Sequence, residues 1–594
     1  MPTVWKIGII KPIPKSSLLD PRVPLQYRGI CLLSTVYKLF SGILNQRITK
    51  VADENALFVD EQNSFRKKRS CIDHIFTLTS IIRNRKAKRL PTYVAYIEFE
   101  KAFDRVDRNL LVHKLLSLGI NGRIIESLKC IYNKCAAGIN VNGYITDWFN
   151  TEYGVRQGDT LSPTLFGLYI NDLVTELKNN TNGITCEEFI IQCLLYADDL
   201  VLISETEEDL QNMLHVLNDW CKKWRMKVNV SKSKIMHFRT TGHVESEYNF
   251  VLGNQSLEKV DKYKYLGVYL DTALDFEILS DTLAKAGGRA LGAIVSKFKC
   301  NKGLGYKTYT KLFHAGVAPI LDYCSGVWGY KRFDKINTIQ NRAIRYFLGV
   351  HRFSPNLAIN GDMGWKSCKN RREVEMGRFW NRMVTMNDDR LTKKVFLWDK
   401  QKCMRNWSSE IKEVLCSIGL EHAFMTNSPI DLKIMADSLH EKTSNTWCQE
   451  IFDVPKLRTY VCFKSNYCTE NYVTNVTNRQ HRSVLAQFRC GILPLKVETG
   501  RYQNIPLEYR LCIVCRENEI ETESHFLLHC EKYKEIRDNF LMRLDGLYRL
   551  HPNFAMYCDG DKLKILMSDC YIKCTAKFIW QCFEKRRHCM YNTV

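Results

Sequence analysis

Two short segments in the first half of the chain are rich in apolar, aromatic and β-branched residues, and each predicts strand structure. The first covers residues 92–99, Thr-Tyr-Val-Ala-Tyr-Ile-Glu-Phe. The second is the apolar run 189–196, which is interrupted by two acids and resumes over 200–203. An apolar run, a tight turn and a second apolar run predict two strands joined by a hairpin.

A different periodicity predicts helices between and after these strands. Apolar positions recur at helical spacing over residues 109–116, 162–177 and 207–222. In the last of these they follow the i, i+3, i+4, i+7 pattern of an amphipathic helix, at Leu210, Met213, Leu214 and Leu217. A glycine-marked hairpin region lies between the first two helices, over 138–154. This order of elements predicts an α+β unit with a largely antiparallel sheet.

The turn between the two central strands carries the adjacent acids Asp198 and Asp199. Ordinary hairpin turns favour Asn-Gly or Asp-Gly and gain nothing from neighbouring like charges. Hard divalent cations such as Mg²⁺ bind carboxylate oxygens, and a pair of them stabilises both oxygens of a phosphoryl displacement. A third carboxylate is needed nearby, and Glu98, at the end of the 92–99 strand, is the nearest source.

The length of the chain predicts further domains, and its charge predicts a nucleic-acid partner. A chain of 594 residues exceeds what one hydrophobic core organises, so several domains are expected. Lys and Arg number 86 against 64 for Asp and Glu, a formal charge of +22. The windows 222–239 and 283–311 hold basic residues and no acid. Two acid-free basic windows close to a carboxylate turn predict a track for nucleic-acid phosphates.

The chain also lacks the features of secreted and membrane proteins. Its first residues have no basic start followed by an apolar core, and no apolar run approaches the ~18 residues of a membrane span. Most of its 24 cysteines are dispersed through apolar segments, as expected of reduced thiols. We therefore expect an intracellular protein, nuclear, cytoplasmic or both, that is not secreted and has no membrane partner; the oligomeric state stays open.

One cysteine cluster near the C-terminus has metal-ligand spacing. Cys512 and Cys515 are separated by two residues, and a helix beginning near residue 522 would bring His525 and a later ligand to the same point. We predict a zinc site made of Cys512, Cys515, His525 and Cys530, with His529 as the alternative fourth ligand.

Five blocks in order over residues 1–280 resemble the reverse transcriptase of non-LTR (LINE-type) retrotransposons. They are Tyr27-Arg-Gly-Ile-Cys-Leu-Leu-Ser with Lys38 and Arg47, Gln62-Asn-Ser-Phe-Arg with Arg69, Ile97-Glu-Phe-Glu-Lys-Ala-Phe-Asp-Arg-Val, Gly154-Val-Arg-Gln-Gly-Asp-Thr-Leu-Ser-Pro-Thr-Leu-Phe and Tyr196-Ala-Asp-Asp. Later segments, including Asn229-Val-Ser-Lys-Ser-Lys, Tyr265-Leu-Gly-Val and the C-terminal Cys-Cys-His-Cys set, are also similar to the family.

The resemblance implies a right-hand polymerase fold followed by a mainly helical C-terminal region with a small zinc knuckle. Fingers and palm, with its antiparallel sheet, are expected over 1–275, the thumb over 276–350, a helical connection of unknown role over 351–475 and the zinc-binding region over 476–594. The resemblance also implies that the endonuclease domain these elements place upstream is missing from this polypeptide.

The resemblance further implies RNA-directed DNA synthesis and assigns residues to it. Glu98, Asp198 and Asp199 would be catalytic and bind Mg²⁺ or Mn²⁺. The expected partners are an RNA template, a DNA primer or target, and deoxynucleoside triphosphates. The nucleotide and template contacts would come from Arg66, Arg69, Phe103, Gln157, Gly158 and Lys232. Glycines at 154 and 158 are expected to let the backbone approach a stacked base pair, and Phe103 to clash with a 2′-hydroxyl.

One departure from the family changes the expected activity. The family has Asp where this chain has Glu98, and the extra methylene displaces the carboxylate. A misplacement of about 1 Å can cost on the order of 10²-fold in rate, so weak or absent polymerisation is expected. Gly29 and Ser64, where the family favours Pro and Gly, point the same way.

Three alternatives remain open from the sequence. The first is a nucleic-acid-binding remnant that keeps the fold and the basic channel but is catalytically inactive. The second is a group II intron-type maturase, which shares the palm and should have a different C-terminal region. The third is an RNA-templated RNA polymerase, which would have to admit ribonucleotides past Phe103.

Overall fold

The computed structural model describes residues 1–15, 20, 22–240, 242, 244–515, 517–548 and 553–591. All of its strands precede residue 272 in the described chain. They are β1 (Ile7–Pro14), β2 (Tyr27–Leu32), β3 (Thr92–Glu98), β4 (Ala136–Val141), β5 (Tyr144–Ile145), β6 (Phe149–Asn150), β7 (Ile184–Cys186), β8 (Phe189–Ile191), β9 (Cys193–Tyr196), β10 (Asp199–Ser204), β11 (Lys234–Phe238), β12 (Val251–Leu252), β13 (Gln255–Ser256), β14 (Glu258–Lys259), β15 (Lys262–Tyr265) and β16 (Val268–Asp271).

Helices make up the rest of the regular structure. They are α1 (Thr35–Glu54), α2 (Cys71–Ala87), α3 (Ala102–Arg105), α4 (Arg108–Ser117), α5 (Arg123–Tyr132), α6 (Ser162–Asn180), α7 (Glu207–Lys223), α8 (Glu277–Cys300), α9 (Tyr306–Gly316), α10 (Ala318–Leu321), α11 (Ser325–Trp328), α12 (Asp334–Leu348), α13 (Asn356–Met363), α14 (Cys368–Val384), α15 (Leu391–Lys402), α16 (Trp407–Cys416), α17 (Glu421–Thr426), α18 (Leu432–Glu450), α19 (Tyr460–Phe463), α20 (Asn471–Asn475), α21 (Arg479–Arg489), α22 (Lys496–Tyr502), α23 (Lys534–Tyr548), α24 (Asp559–Leu566) and α25 (Ile572–Tyr591).

The chain divides into two compact units. The first contains Met1–Phe276 together with Arg382–Lys412, and the second contains Glu277–Asn381 together with Glu413–Val594. The region predicted over 351–475 as one helical connection is therefore shared between the two units. Among the described residues, no helix is both long enough and apolar enough to cross a membrane.

The central sheet of the first unit has the strand order β14-β11-β3-β10-β9. Strand β3 lies in its middle and pairs antiparallel with β10 and with β11. Residues Thr92 to Ile97 are all buried because both faces of the strand are covered. The predicted strand at 92–99 and the largely antiparallel sheet are confirmed.

The apolar run 189–196 is not one strand, as predicted, but two. Residues of β8 pair with β7 in a separate hairpin, and only β9 pairs with β10 in the central sheet. Between them Gln192 is buried, and its carbonyl oxygen accepts a hydrogen bond from the Ile203 backbone N–H. The apolar composition predicted extended structure correctly, but it contained no signal for the change of partner strand.

The amphipathic helix predicted over 207–222 is confirmed as α7. Its four pattern residues, Leu210, Met213, Leu214 and Leu217, are buried in the core. The helix begins where the Thr206 hydroxyl accepts a hydrogen bond from the backbone N–H of Asp209, which satisfies one of the unpaired donors of the first turn. The helix thereby covers the apolar side of the central sheet.

A late segment of the chain returns to the first unit and packs against α2. Helix α15 lies along α2. Asp73 on α2 is fully buried and binds the guanidinium groups of Arg382 and Arg390 at 2.7 and 3.2 Å. Asp399 on α15 accepts hydrogen bonds from Asn84 and Ser408. These paired buried charges fix segment 382–412 to α2, because a buried carboxylate without a partner is costly.

The second unit is helical and has its own buried ion pair. Arg489 on α21 and Asp362 on α13 are both fully buried, 2.9 Å apart, and Glu470 also contacts the guanidinium group. The Tyr460 and Tyr472 hydroxyls donate to the same Asp362 carboxylate. Arg489 therefore has a structural role in this core.

Candidate active site and candidate metal centre

The hairpin between β9 and β10 presents Asp198 and Asp199 at one end of the central sheet. Ala197, the first of its two turn residues, has φ of 56°, which suits the tight hairpin turns that match the twist of the strands. Behind the turn, Leu200, Val201 and Leu202 are buried and hold β10 in the core. The turn acids are half-buried, so rigid apolar strands support a polar end.

Glu98 lies beside these acids because β3 and β10 are paired in register. Glu98 is the direct cross-strand partner of Asp199, which places both side chains on the same face of the sheet. The loop before β11 fixes this strand end, since the Asn229 N–H donates to the Glu98 carbonyl oxygen at 2.7 Å. The Glu98 N–H donates to the Ser233 hydroxyl at 3.1 Å. Glu98, from an earlier part of the chain, is thus brought beside the adjacent acids Asp198 and Asp199.

The charges of the three acids oppose one another. Burial and the neighbouring charges of Asp198 and Glu98 raise the pKa of Asp199 to about 6. Burial and the charge of Glu98 also raise the pKa of Asp198, whereas Arg28 and Lys232 lower it. Such a set of half-buried oxygen donors with too little positive charge fits the chemistry of a divalent cation site.

Glu98 binds Lys232 in this arrangement. The Lys232 ammonium group forms an ion pair with the Glu98 carboxylate. In the described chain, one group of Cys, His, Asp and Glu residues has all its ligand atoms within 4.8 Å of one another, and it is not this one. A cation shared by Glu98, Asp198 and Asp199 would compete with Lys232 for the Glu98 carboxylate.

Arg66 and Arg69 were predicted to contact the triphosphate. In the structure their side chains bind the loop over residues 58–69 instead. Arg69 forms an ion pair with Asp60 at 2.5 Å, and Arg66 donates to the carbonyl oxygens of Val59 and Gln62 at 2.8 and 3.1 Å. Burial and the neighbouring Arg69 lower the pKa of Arg66 to about 10. Neither guanidinium group pairs with the catalytic acids, and their role toward a nucleotide stays a prediction.

Phe103 and the Gln157-Gly158 pair are placed by packing. Phe103 stacks on Phe166 with ring centroids 4.5 Å apart and remains partly exposed. Gly158 has φ of 110°, and a Cβ there would lie 2.7 Å from the Cys31 carbonyl oxygen of β2. The Gln157 carbonyl oxygen accepts from the Cys31 N–H. Protein backbone therefore lies where a Cβ of residue 158 would be, and a role of this glycine toward a base pair stays a prediction.

A close approach to protein backbone also explains the glycine at position 154. Its φ is 84°, and a Cβ would lie 2.9 Å from the Cα and carbonyl oxygen of Asp104. A role of Gly154 toward a base pair also stays a prediction. Both glycines of the fourth block allow two segments of the first unit to touch.

Three residues near the acids were not assigned roles from the sequence. Arg28 on β2 lowers the pKa of Asp198, and it lies in the first block, so its guanidinium could have been considered. The buried Gln62 side chain accepts from the Ala197 N–H at 3.2 Å and so braces the catalytic turn. Tyr263 stacks on Tyr96, and its pKa is raised to about 12 by burial and by Asp199. Gln62 is the first residue of the second block, whereas no local pattern marks Tyr263.

The second candidate site brings together the four residues predicted to bind zinc. The ligand atoms of Cys512, Cys515, His525 and Cys530 all lie within 4.8 Å of one another. A short helical turn, His525–His529, places His525 beside Cys515, with Nε2 3.4 Å from Sγ. Hydrogen bonds from Cys530 and His525 lower the pKa of Cys512 to about 3, as suits a thiolate ligand.

His529, the alternative ligand, lies outside this cluster. Its Nε2 is 2.7 Å from the Asp559 carboxylate, and about half of its side chain is exposed. Glu521 is buried between the cluster and the last helix, where it lies 3.7 Å from Cys512 Sγ and 3.0 Å from Arg586. Three sulfurs and one imidazole nitrogen at this spacing fit a structural zinc ion.

Comparison with known proteins agrees with this geometry. Residues 13–270 match the model of the family described as reverse transcriptase (RNA-dependent DNA polymerase). The chain is 24% identical over 393 residues to the probable RNA-directed DNA polymerase from transposon BS of Drosophila melanogaster, covering 64% of this chain and 42% of that protein. It is 27% identical over 253 residues to the Pol polyprotein of the type-1 retrotransposable element R2 of Nasonia vitripennis, covering 41% and 24%.

A solved structure was also matched, at a low level of similarity. Apo telomerase from Candida tropicalis, truncated from its C-terminal domain, aligns with a TM-score of 0.31 and 16% identity over 46% of this chain and 55% of that one, which is too low to support the fold. The chain spans about two fifths of the length of the first curated relatives it matches. Residues 13–270 are a reverse transcriptase domain, and the chain is similar to RNA-directed DNA polymerases of transposons and retrotransposable elements.

Proposed function

We propose that this chain catalyses RNA-templated DNA synthesis, in which a primer 3′-hydroxyl attacks the α-phosphate of a deoxynucleoside triphosphate. The observation that carries the proposal is the meeting of Glu98, Asp198 and Asp199 at one end of the central sheet. The names of the relatives support the same reaction. The expected partners are an RNA template, a DNA primer or target and the triphosphates, and the charge of +22 favours binding to such polyanions.

The three carboxylates would hold Mg²⁺ or Mn²⁺, and such ions, when bound, stabilise the attacking and leaving oxygens. The chain's own residues would position the substrates around them. Arg28, whose charge already acts on Asp198, offers a guanidinium group for triphosphate oxygens. The partly exposed ring of Phe103 is held against Phe166 and would exclude a 2′-hydroxyl. Gln62 keeps the catalytic turn in place.

Lys232 has two roles in this proposal. While it binds Glu98 it neutralises one of the three carboxylates. Once Glu98 turns toward a cation, the ammonium group is released close to the same site. It can then contact the triphosphate, which is the role expected for it from the sequence.

The cysteine and histidine cluster is proposed to bind zinc. Cys512, Cys515, His525 and Cys530 supply the donor set and the spacing that structural zinc sites use. Zinc would hold the turn at 525–530 to the Cys512–Cys515 loop, and the knuckle would either fold this part of the chain or bind template RNA. A metal analysis of the purified chain should give one zinc per molecule, and none in Cys512→Ala.

A second function, binding nucleic acid without chemistry, is favoured by one observation. Glu98 replaces the shorter Asp of the family, and in this structure it binds Lys232 rather than joining a compact carboxylate cluster. A chain that keeps this pairing would retain the fold and the basic surface but polymerise slowly or not at all.

Primer extension on poly(rA)/oligo(dT) with Mg²⁺ or Mn²⁺ separates the two functions. The native chain and Glu98→Asp should be compared side by side. Extension by either protein, abolished by adding Asp198→Asn, supports the polymerase. Binding of the primer–template by both proteins without extension by either supports the inactive remnant.

A further inference from the structure

A basic cavity of about 680 Å³ lies beside the fingertip loop, which we define as residues 58–69. We call this cavity the basic groove. Its other walls are the C-terminal end of α1 at Thr49 and Asp53, the first turns of α6 at Thr164 and Gly167, and the returning segment 382–390. All of these residues belong to the first unit.

The groove has an excess of positive charge. Six cationic side chains line it, and Asp53 is the one carboxylate in its wall; the cations are Arg66, Lys67, Lys68, Arg69, Arg382 and Arg390. Behind the wall, Asp60 neutralises Arg69, and Asp73 is shared by Arg382 and Arg390. Asp53, Asp60 and Asp73 together offset three of the six positive charges, so three remain. A cluster of this kind is an electrostatic site for phosphate groups.

The cations that are left over face the groove. Lys67 and Lys68 are exposed, and neither ammonium group has a hydrogen bond or an ion pair among the described residues. Arg66 binds only carbonyl oxygens and the face of Phe58. The Nε of Arg390 is buried without a hydrogen-bond partner in the described chain. An anion in the groove would satisfy donors that the protein itself leaves open.

Two further features favour a nucleic-acid strand over a free phosphate. The Phe65 ring, in the same wall, is 60% exposed, and an exposed aromatic ring beside cations is the usual platform for an unpaired base. The fingertip loop, which forms one wall of the groove, also contacts the active-site hairpin, because its Gln62 side chain accepts a hydrogen bond from the Ala197 N–H.

We infer that the basic groove binds the unpaired 5′ segment of the template RNA, with phosphates on Lys67, Lys68 and Arg66 and a base on Phe65. The inference rests on the proposed function, since it names a contact of the same substrate. It assigns to the returning segment 382–390 the role of closing the groove on one side, through Arg382 and Arg390.

The test is equilibrium binding of the full chain to RNA–DNA primer–templates without metal or triphosphate. Two duplexes are compared, one blunt and one with a template 5′ overhang of about ten nucleotides. The variant K67E/K68E should lose roughly tenfold in affinity for the overhang substrate and keep its affinity for the blunt one. The slope of log affinity against log salt should become shallower by about 0.7 for each lost contact.

The matched control is K88E/R89E at the other end of α2. These are also adjacent, exposed basic residues, and Arg89 and Lys68 share a left-handed backbone with φ of 59° and 58°. The net charge change is the same, so a loss of overhang binding in both variants would overturn the inference as a general charge effect. A second variant, F65A, should weaken overhang binding several-fold with an unchanged salt slope.

The outcomes separate this inference from the proposed function. If the native chain binds neither duplex, the polymerase proposal and the groove both fail. If it binds the blunt duplex and gains nothing from the overhang, the groove assignment fails and the polymerase proposal stands. If K67E/K68E keeps the overhang gain but raises the KM for triphosphates in Glu98→Asp, the groove serves the nucleotide, and the template assignment is wrong.

Discussion

The two candidate metal sites of this chain bring their ligands together in different ways. The Cys and His ligands lie between residues 512 and 530, and their ligand atoms already lie within 4.8 Å of one another. The carboxylates come from β3 and the β9–β10 hairpin, a hundred residues apart, and one of them is held by Lys232. A local motif with soft ligands is preorganised by its own turns, whereas the acidic site repels itself until a cation enters.

The largest effect expected from this difference is on catalysis. Adding Asp198→Asn to the Glu98→Asp chain should lower primer extension by roughly 10³-fold or more, because one of the charged oxygen ligands of the metal site is then lost. The zinc content should not change. Cys515→Ser is the matched control, with zinc lost and the rate per folded molecule kept. A fall in zinc content in the Asp198→Asn protein would show that the two sites are not independent.

Cys512→Ser should remove the bound zinc and lower the melting temperature of the second unit. The bound zinc links the Cys512 thiolate to the other three ligands. Losing the thiolate and the ion therefore detaches the turn at 525–530 from the loop that carries residue 512. His529→Ala should retain the metal, because His529 binds Asp559 outside the cluster. Metal analysis and a thermal melt of each protein check both statements. Zinc loss in His529→Ala would place that residue in the ligand set.

Glu98→Asp should raise the extension rate by up to about 10²-fold. The shorter side chain withdraws from Lys232 and leaves its carboxylate nearer to Asp199, its cross-strand partner. Steady-state rates of the two proteins at saturating Mg²⁺ are the measurement. An unchanged rate, with primer–template binding intact, would mean that another part of the chain limits activity.

Acid should destabilise the first unit through His74 on α2. Burial, together with the nearby Arg69, lowers the pKa of His74 to about 3. Because the unfolded chain takes up this proton near pH 6.5 and the folded chain does not, stability falls as pH drops below 6.5. The loss at pH 5 is about 2 kcal/mol. Denaturant unfolding of the native chain and His74→Gln between pH 7 and 5 should show a smaller loss in the variant; equal losses would assign it to other groups.

The smallest effect is expected at the ion pair itself. Lys232→Met should lower the Mg²⁺ concentration needed for half-maximal extension by a few-fold, because the competing cation is removed from Glu98. Lys227→Met is a suitable control, since Lys227 pairs with Glu100 rather than Glu98. A higher Mg²⁺ requirement in Lys232→Met would show that the ammonium group does not compete with the cation for Glu98.

Short-range patterns predicted much of this molecule and long-range contacts were missed. The strand at 92–99, the helix α7 and the metal-ligand cluster follow from periodicity and spacing. The split of residues 189–196 between two sheets depends on partner strands, which composition does not encode. The close approach of Gly154 and Gly158 to protein backbone was not predicted, because that backbone lies elsewhere in the sequence. The brace from Gln62 to Ala197 was missed for the same reason.

The return of segment 382–412 determines which fragments of this protein can be prepared. A recombinant piece ending near Phe276 would contain the whole matched domain, yet it would expose the α2 surface that α15 covers. It would also leave Asp73, which has no exposed surface, without the arginines that lie 309 and 317 residues further along. Removing one partner of a buried ion pair typically costs about 3–5 kcal/mol. Biochemists who wish to isolate the reverse transcriptase domain should therefore keep the polypeptide to at least Lys412.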